Sequence, residues 1–208
     1  MDLLITVAIV FFILVINELW WRKRNVHGEL SRKFVHVTVG TYVAFWPFYL
    51  SWHQIELLSI AFFLVVALSK YLKLFQAIHS VQRPTWGEIC FAISVGLIAL
   101  ITHNKWIYAA AIIQMALADG LAAIIGMRYG SNQNYRILNH TKSIIGTFTF
   151  FIVSIIVLIC FSIFSGIHLG WDRIVITSAV GSILENIAIY GLDNLLVPLA
   201  VALLLIYH

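Results

Sequence analysis

Charge is scarce in this chain. Of its 208 residues only 11% are Asp, Glu, Lys or Arg, against 62% hydrophobic residues. That balance excludes an ordinary water-soluble core and points to helices immersed in lipid. Cysteine is scarcer still. Cys90 and Cys160 both lie in apolar runs, which excludes a disulfide framework and a thiolate metal site. Neither a G-x-x-x-x-G-K-[ST] phosphate loop nor a kinase-type G-x-G-x-x-G loop is present. The first apolar run lacks a preceding basic region: Asp2 precedes it and Arg22-Lys23-Arg24 follow. It reads as a retained span whose C-terminal end is cytoplasmic, not as a cleaved signal peptide. Low-complexity segments, long linkers and internal repeats are also missing, so residues 1–208 are expected to form one membrane domain.

What is present is apolar and periodic. Eight candidate spans run over Leu3–Trp21, Phe34–Leu50, Ile55–Leu72, Glu88–Thr102, Trp106–Met127, Ser143–Ser165, Ile174–Tyr190 and Leu195–Tyr207. The expected fold is therefore all-α and polytopic, with about eight transmembrane helices and seven as the alternative. The fourth and eighth runs fall short of the roughly 20 residues that a helix needs to cross hydrocarbon. Pro47 and Pro198 are expected to kink or end their helices. Lys and Arg are distributed unevenly between the loops: five lie in Arg22–Lys33, three in Lys70–Gly87 (Lys70, Lys73, Arg83) and three in Arg128–Lys142, whereas Lys105 and Arg173 alone occupy the alternate loops. Eleven against two places the odd-numbered loops in the cytoplasm and both termini outside. The sequon Asn139-His140-Thr141 then faces the cytoplasm and carries no glycan.

This topology gathers the unusual residues on one face. Asp119 opens D-G-L-A-A-I-I-G-M-R-Y-G, and Ala118 just before it, Ala122, Gly126 and Gly130 recur every fourth position. Such a bare stripe admits a neighbouring helix backbone, and an ionisable residue beside it inside a span marks a functional candidate. Glu29-Leu-Ser-Arg32-Lys33-Phe-Val-His36 places Arg32 and His36 four apart on one helix face. Its two adjacent cations suit a phosphate or an anionic lipid headgroup. In Thr141-Lys142-Ser143-Ile-Ile-Gly146-Thr147 a lysine stands at a helix N-terminus, where free N–H groups favour anions. Ser143 or Thr147 there either caps the helix or offers a hydroxyl to phosphate or metal. Finally, Glu185 is an intramembrane carboxylate, and Gly191 with Asp193-Asn194 forms a turn able to present oxygen ligands. Glu18, His53, His79, His103, His140 and His168 show no metal-ligand spacing with one another.

Together these motifs resemble the polyprenol kinase family, which includes dolichol, phytol and farnesol kinases and the CTP-dependent diacylglycerol kinase. The family pattern runs E-x-x-R-K-x-x-H, D-x-x-A-x-x-x-G-x-x-x-G, K-[ST]-x-x-G-[ST], and a late E…G-x-D-N-x-x-x-P. The chain carries Glu29, Arg32, Lys33 and His36, then Asp119, Ala122, Gly126 and Gly130. It continues with Lys142, Ser143, Gly146 and Thr147, then Glu185, Gly191, Asp193, Asn194 and Pro198. CDP-diacylglycerol synthase is similar in the aspartate–glycine block but follows it with S-P-K-K-[ST]-x-E-G. Here that proline is missing and Ile145 stands where the glutamate would be, a departure that favours phosphoryl over cytidylyl transfer.

The resemblance implies a membrane kinase that moves the γ-phosphate of CTP, with Mg2+, onto an isoprenoid alcohol or diacylglycerol. It implies Asp119, Asp193 and Glu185 as magnesium ligands and Lys142, Arg32 and Lys33 as phosphate holders. Gly126, Arg128, Gly130, Ser143, Gly146, Thr147 and Asn194 would line the nucleotide, and His36 or an aspartate would take the hydroxyl proton. The partners expected are the lipid alcohol from the bilayer, the nucleotide from the cytoplasm and membrane lipids, with no nucleic acid; a homo-oligomer stays open. The expected location is a multi-pass protein of a bacterial plasma membrane or a eukaryotic endoplasmic-reticulum-type membrane, with its site on the cytoplasmic side. CDP-lipid synthesis and an ion-coupled transporter relaying through Asp119 and Glu185 are the alternatives. The topology is testable with a single cysteine at Gln133 in a background lacking Cys90 and Cys160. A membrane-impermeant maleimide is expected to label it only in opened membranes. Labelling in intact cells would invert the topology.

Overall fold

Each apolar run winds into a helix, and the polar punctuation between runs stops it. The computed structural model describes residues 3–24, 28–72, 86–130, 133–137 and 140–207. Among them, the helical segments are α1 (Leu3–Arg24), α2 (Glu29–Ala44), α3 (Trp52–Leu72), α4 (Gly87–Ile101), α5 (Lys105–Tyr129), α6 (Ile144–Ser165), α7 (Trp171–Ile187) and α8 (Asp193–Ile206). A short hairpin of β1 (Asn134–Ile137) and β2 (His140–Ser143) joins α5 to α6. The chain is an all-α membrane protein with this one small β insertion. By length and composition α1, α5 and α6 are able to cross a membrane, while Trp52–Leu68, Gly87–Ile101 and Asp193–Ile206 are shorter apolar helices. Lys73, Arg83 and His79 of the third loop, and Asn139 of the sequon, lie outside the described residues.

Local chemistry explains the boundaries. Asn104 caps α5, its side-chain oxygen accepting from the backbone N–H of Trp106 at 2.9 Å and of Ile107 at 3.3 Å. Ser143 caps α6 in the same way, accepting from the Gly146 N–H at 3.0 Å. Gly166 closes α6 at φ 73°, in the left-handed region that glycine enters freely. Pro47 ends α2: the helix stops at Ala44 and a 3-10 turn, Trp46–Phe48, follows. Pro198 does not end its helix. It lies in the second turn of α8, which runs on to Ile206. A proline there forgoes the bond that its N–H would have given the Asn194 carbonyl, and the helix continues past it.

The bundle is arranged around α5. Helices α2, α6 and α8 pack against it, α4 and α7 pack against α8, and α1 lies outside against α2. Tyr108, Ala111, Ile112, Met115 and Ala118 of α5 are buried at its centre. Helix α8 turns one stripe inward, Asn194, Val197, Pro198, Val201, Ala202 and Leu205. Helix α1 shows the reverse of a soluble pattern. Leu4, Phe11, Phe12 and Leu19 face outward, whereas its buried residues are Thr6 and Asn17. Asn17 donates to the Ile13 carbonyl at 2.8 Å and to Thr38 Oγ1 at 3.3 Å. Apolar groups outward and polar groups between helices is the pattern expected where lipid is the solvent.

The small-residue stripe of α5 packs where its spacing suggests. A Cβ on Gly126 would come within 2.7 Å of Ser143 Oγ and 3.3 Å of Gly146 Cα. On the opposite side of α5, a Cβ on Gly120 would strike Val37 Cγ2 at 2.2 Å, and a Cβ on Gly40 of α2 would strike Ala116 Cβ at 2.6 Å. Helix α5 is therefore gripped closely by α6 and by α2. Gly126→Val is expected to force α5 and α6 apart. Overpacking of this kind costs about 1–3 kcal/mol, roughly 3–10 °C of melting temperature in detergent for a chain of this size. An unchanged melting temperature would refute the close crossing.

Candidate active site

Charged residues of α2, α4, α5, α7 and α8 come together in one region of the bundle. The crossing of α2 on α5 sets the first part. Lys33, His36, Val37 and Gly40 recur at three- and four-residue steps and so face the same way. Since Val37 and Gly40 touch α5, Lys33 and His36 are carried onto it. Lys33 Nζ donates to Asp119 Oδ2 at 2.5 Å, with both side chains almost fully buried. Asp119 is held out by an irregularity of its own helix, because Gln114–Asp119 forms a π turn within α5. Such turns widen the helix, redirect side chains and recur at functional sites. His36 Nε2 lies 3.1 Å from the Met115 carbonyl in that turn and 3.7 Å from Asp119 Oδ2.

Arg32 looks elsewhere. It pairs with Glu29 on its own helix and reaches Glu88 of α4 at 3.8 Å. The face meeting Asp119 is thus defined by Lys33 with His36, not by Arg32 with His36. Burial works to raise the Glu29 carboxyl, but the hydrogen bond and charge of Arg32 outweigh it and hold the group below its ordinary value.

The hairpin builds the second part. β1 and β2 are antiparallel, with Asn134 opposite Ser143, Tyr135 opposite Lys142, Arg136 opposite Thr141 and Ile137 opposite His140. Directly opposed residues share a face of the ladder, so Tyr135 and Lys142 reach the same neighbour, the end of α7. Lys142 Nζ donates to the Glu185 carboxylate and, at 3.0 Å, to the Glu185 carbonyl. Burial pulls the Lys142 ammonium down, but the Glu185 carboxylate outweighs it and raises the group above its ordinary value. Tyr135 bonds through its hydroxyl to Asn186 Oδ1 and to Thr147 Oγ1. Thr147 Oγ1 also lies 3.1 Å from Asn186 Oδ1.

The third part is the turn between α7 and α8. Tyr190 and Gly191 adopt φ 56° and 90° there. Trp86 N–H donates to the Tyr190 carbonyl at 2.8 Å, and Asn194 Nδ2 to the Gly87 carbonyl at 2.9 Å. These bonds fasten the start of α4, with Glu88, to the turn that carries Asp193. Asp193 Oδ1 and Asn194 Oδ1 are shielded from solvent and have no hydrogen-bond partner among the described residues. Among the described residues, no three His, Cys, Asp or Glu side chains converge as a ready-made metal centre.

The remaining sequence candidates divide. Ser143 is engaged as the α6 cap, Thr147 in the Tyr135–Asn186 network, and Gly126, Gly130 and Gly146 in the contact between α5 and α6. Arg128 stands apart: it is exposed and lies over the Tyr129 ring, 5.4 Å from its centroid. Sequence reasoning did not assign Glu88, Tyr135 or Asn186 to the site. The two central ion pairs are testable as pairs. Lys33→Met leaves Asp119 buried and uncompensated, which is expected to cost about 3–5 kcal/mol of stability. Adding Asp119→Leu should recover most of that loss in the melting temperature. A double variant no more stable than Lys33→Met would show that the two groups do not form a mutual pair.

No protein-family model matches the chain, and no solved structure matches it. Two curated proteins are similar. A phytol kinase from Synechocystis sp. (strain ATCC 27184 / PCC 6803 / Kazusa) is 33% identical over 188 residues, covering 85% of this chain and 78% of its own length. A probable chloroplastic phytol kinase from Triticum aestivum is 29% identical over 205 residues, covering 87% of this chain and 68% of its own. With a third of its residues shared along most of both chains, this membrane protein belongs to the polyprenol kinase family, the family of the phytol kinases.

Proposed function

We propose that the chain phosphorylates the hydroxyl of a long isoprenoid alcohol, phytol being the first acceptor to test, with CTP as donor and magnesium as cofactor. The relatives named phytol kinase support the acceptor class. The observation that carries the reading is the charge balance at one end of an apolar bundle. Among the described residues, Glu29, Glu88, Asp119, Glu185 and Asp193 there face Arg32, Lys33 and Lys142. With all eight groups charged, the surplus is that of two carboxylates, which suits a divalent cation. Two shielded oxygens without partners, on Asp193 and Asn194, add donor capacity. Magnesium takes few carboxylates and completes its shell with phosphate and water oxygens, so this donor set fits it without a closed cage of protein ligands.

In this reading Asp119, Asp193 and Glu185 hold magnesium, which, when bound, neutralises charge on the transferring phosphates. Lys33, Arg32 and Lys142 hold phosphate oxygens. The alcohol approaches sideways from lipid and its oxygen attacks the γ-phosphorus. The bond from that phosphorus to the bridging oxygen breaks and CDP leaves. The alcohol proton passes to a carboxylate of the group. The protein's work is positioning and charge neutralisation. Eight spans, with this end of the bundle facing the cytoplasm, complete the proposal.

Purified protein incubated with γ-labelled CTP, magnesium and phytol should yield labelled lipid and CDP. ATP, GTP and other lipid alcohols in parallel define donor and acceptor. Asp119→Asn should lower turnover of the folded protein about 100- to 1,000-fold, as loss of one electrostatic contributor to a transition state commonly does, and should also lower its melting temperature, because Lys33 loses its charged partner. Release of pyrophosphate with a CMP-linked lipid would replace the kinase by a cytidylyltransferase.

A further inference from the structure

His36 has a histidine's reputation for moving protons, and its place beside Asp119 suggests that role. The geometry of its hydrogen bond points elsewhere. The atom 3.1 Å from His36 Nε2 is the backbone oxygen of Met115. A carbonyl oxygen only accepts, so Nε2 must carry the hydrogen. The same nitrogen is the one directed at Asp119, 3.7 Å from Oδ2. That oxygen already accepts from Lys33 at 2.5 Å. In this tautomer the ring offers the charged cluster an N–H and no lone pair.

The bond also has a structural task. Met115 lies within the π turn Gln114–Asp119, and its residue is fully buried. A widened turn departs from the regular ladder, and its buried carbonyls need reliable donors. His36 supplies one from the neighbouring helix. Phe91 of α4, itself buried, meets the imidazole edge-on with centroids 5.5 Å apart, and Gly40 abuts Ala116 one helix turn along. The ring is clamped in place on a side chain only 10% exposed.

We propose that His36 is a positioning residue: its Nε2–H, donated to the Met115 carbonyl, fixes the π turn that presents Asp119, and its imidazole takes no proton from the substrate. The activity arm of the test rests on the kinase reading; the spectroscopic arm does not. Glutamine can donate an amide hydrogen where Nε2 does, yet it has no basic nitrogen; leucine has neither property. His36→Gln should rescue turnover to within about threefold of wild type, with the KM for CTP and for alcohol unchanged. His36→Leu should lose about 10- to 100-fold in kcat, the usual cost of removing a group that orients a charged ligand. If His36 were the general base, the two variants would fall together, by roughly 100-fold or more. That outcome, in a His36→Gln protein melting at the wild-type temperature, overturns the proposal. Nitrogen-15 imidazole spectra of the wild-type protein give the second readout. The histidine signal missing from His36→Gln should show a protonated Nε2 and a bare Nδ1, and the opposite tautomer overturns the proposal whatever the kinetics. A wild-type protein inert with every nucleotide and alcohol refutes the kinase reading and leaves the tautomer to decide the role of His36.

Discussion

The buried pair of Lys33 and Asp119 is the contact on which the rest of this structure depends. Two opposite charges between apolar helices are tolerable only together, because removing either strands the other in a medium that cannot solvate it. That requirement fixes how α2 lies on α5. It explains the glycines and alanine at their crossing, since a lysine of α2 can reach Asp119 only if the backbones run close. It also gives the π turn a purpose. A regular helix would aim residue 119 along a different direction, whereas the irregular one delivers its carboxylate to the lysine.

The same economy organises the molecule along its length. Polar residues from α2, α4, α5, α7, α8 and the hairpin converge on the charged region. Outward surfaces stay apolar and inward ones carry the few polar groups. In the proposed reaction a hydrophobic acceptor from the bilayer and a charged donor from water would meet at this charged end of the bundle.

Much of this was legible in the sequence, for a physical reason. In a chain with so little charge, an aspartate or glutamate inside an apolar run is conspicuous; Asp119 and Glu185 were visible on that ground, and each meets a lysine. Helix positions followed from hydropathy, and Pro47 marked the end of α2. Other features left weaker traces. The π turn has no composition of its own. Glu88 resembles any acidic residue in a first helical turn, where the dipole alone would favour it. Tyr135 sits on a four-residue strand, too short for alternation to register. Arg128 is ambiguous for another reason: a cation in the last turn of a helix is favoured there without any ligand, and this one is exposed over the Tyr129 ring.

The hairpin between α5 and α6 acts as a ruler. Successive residues of a strand point to opposite faces, so a shift of one residue between β1 and β2 would turn Lys142 away from Glu185 and bring Thr141 in its place. A shift of two would restore the side but move the lysine along the strand by nearly 7 Å, about twice the rise per residue. The Ile144 N–H bond to the Gln133 carbonyl, at 2.9 Å, ties the ruler's base to the first turn of α6. Strand parity, and not only the identity of the residues, is therefore part of the site: what looks like a variable surface loop is held to a fixed count on both sides of its tip.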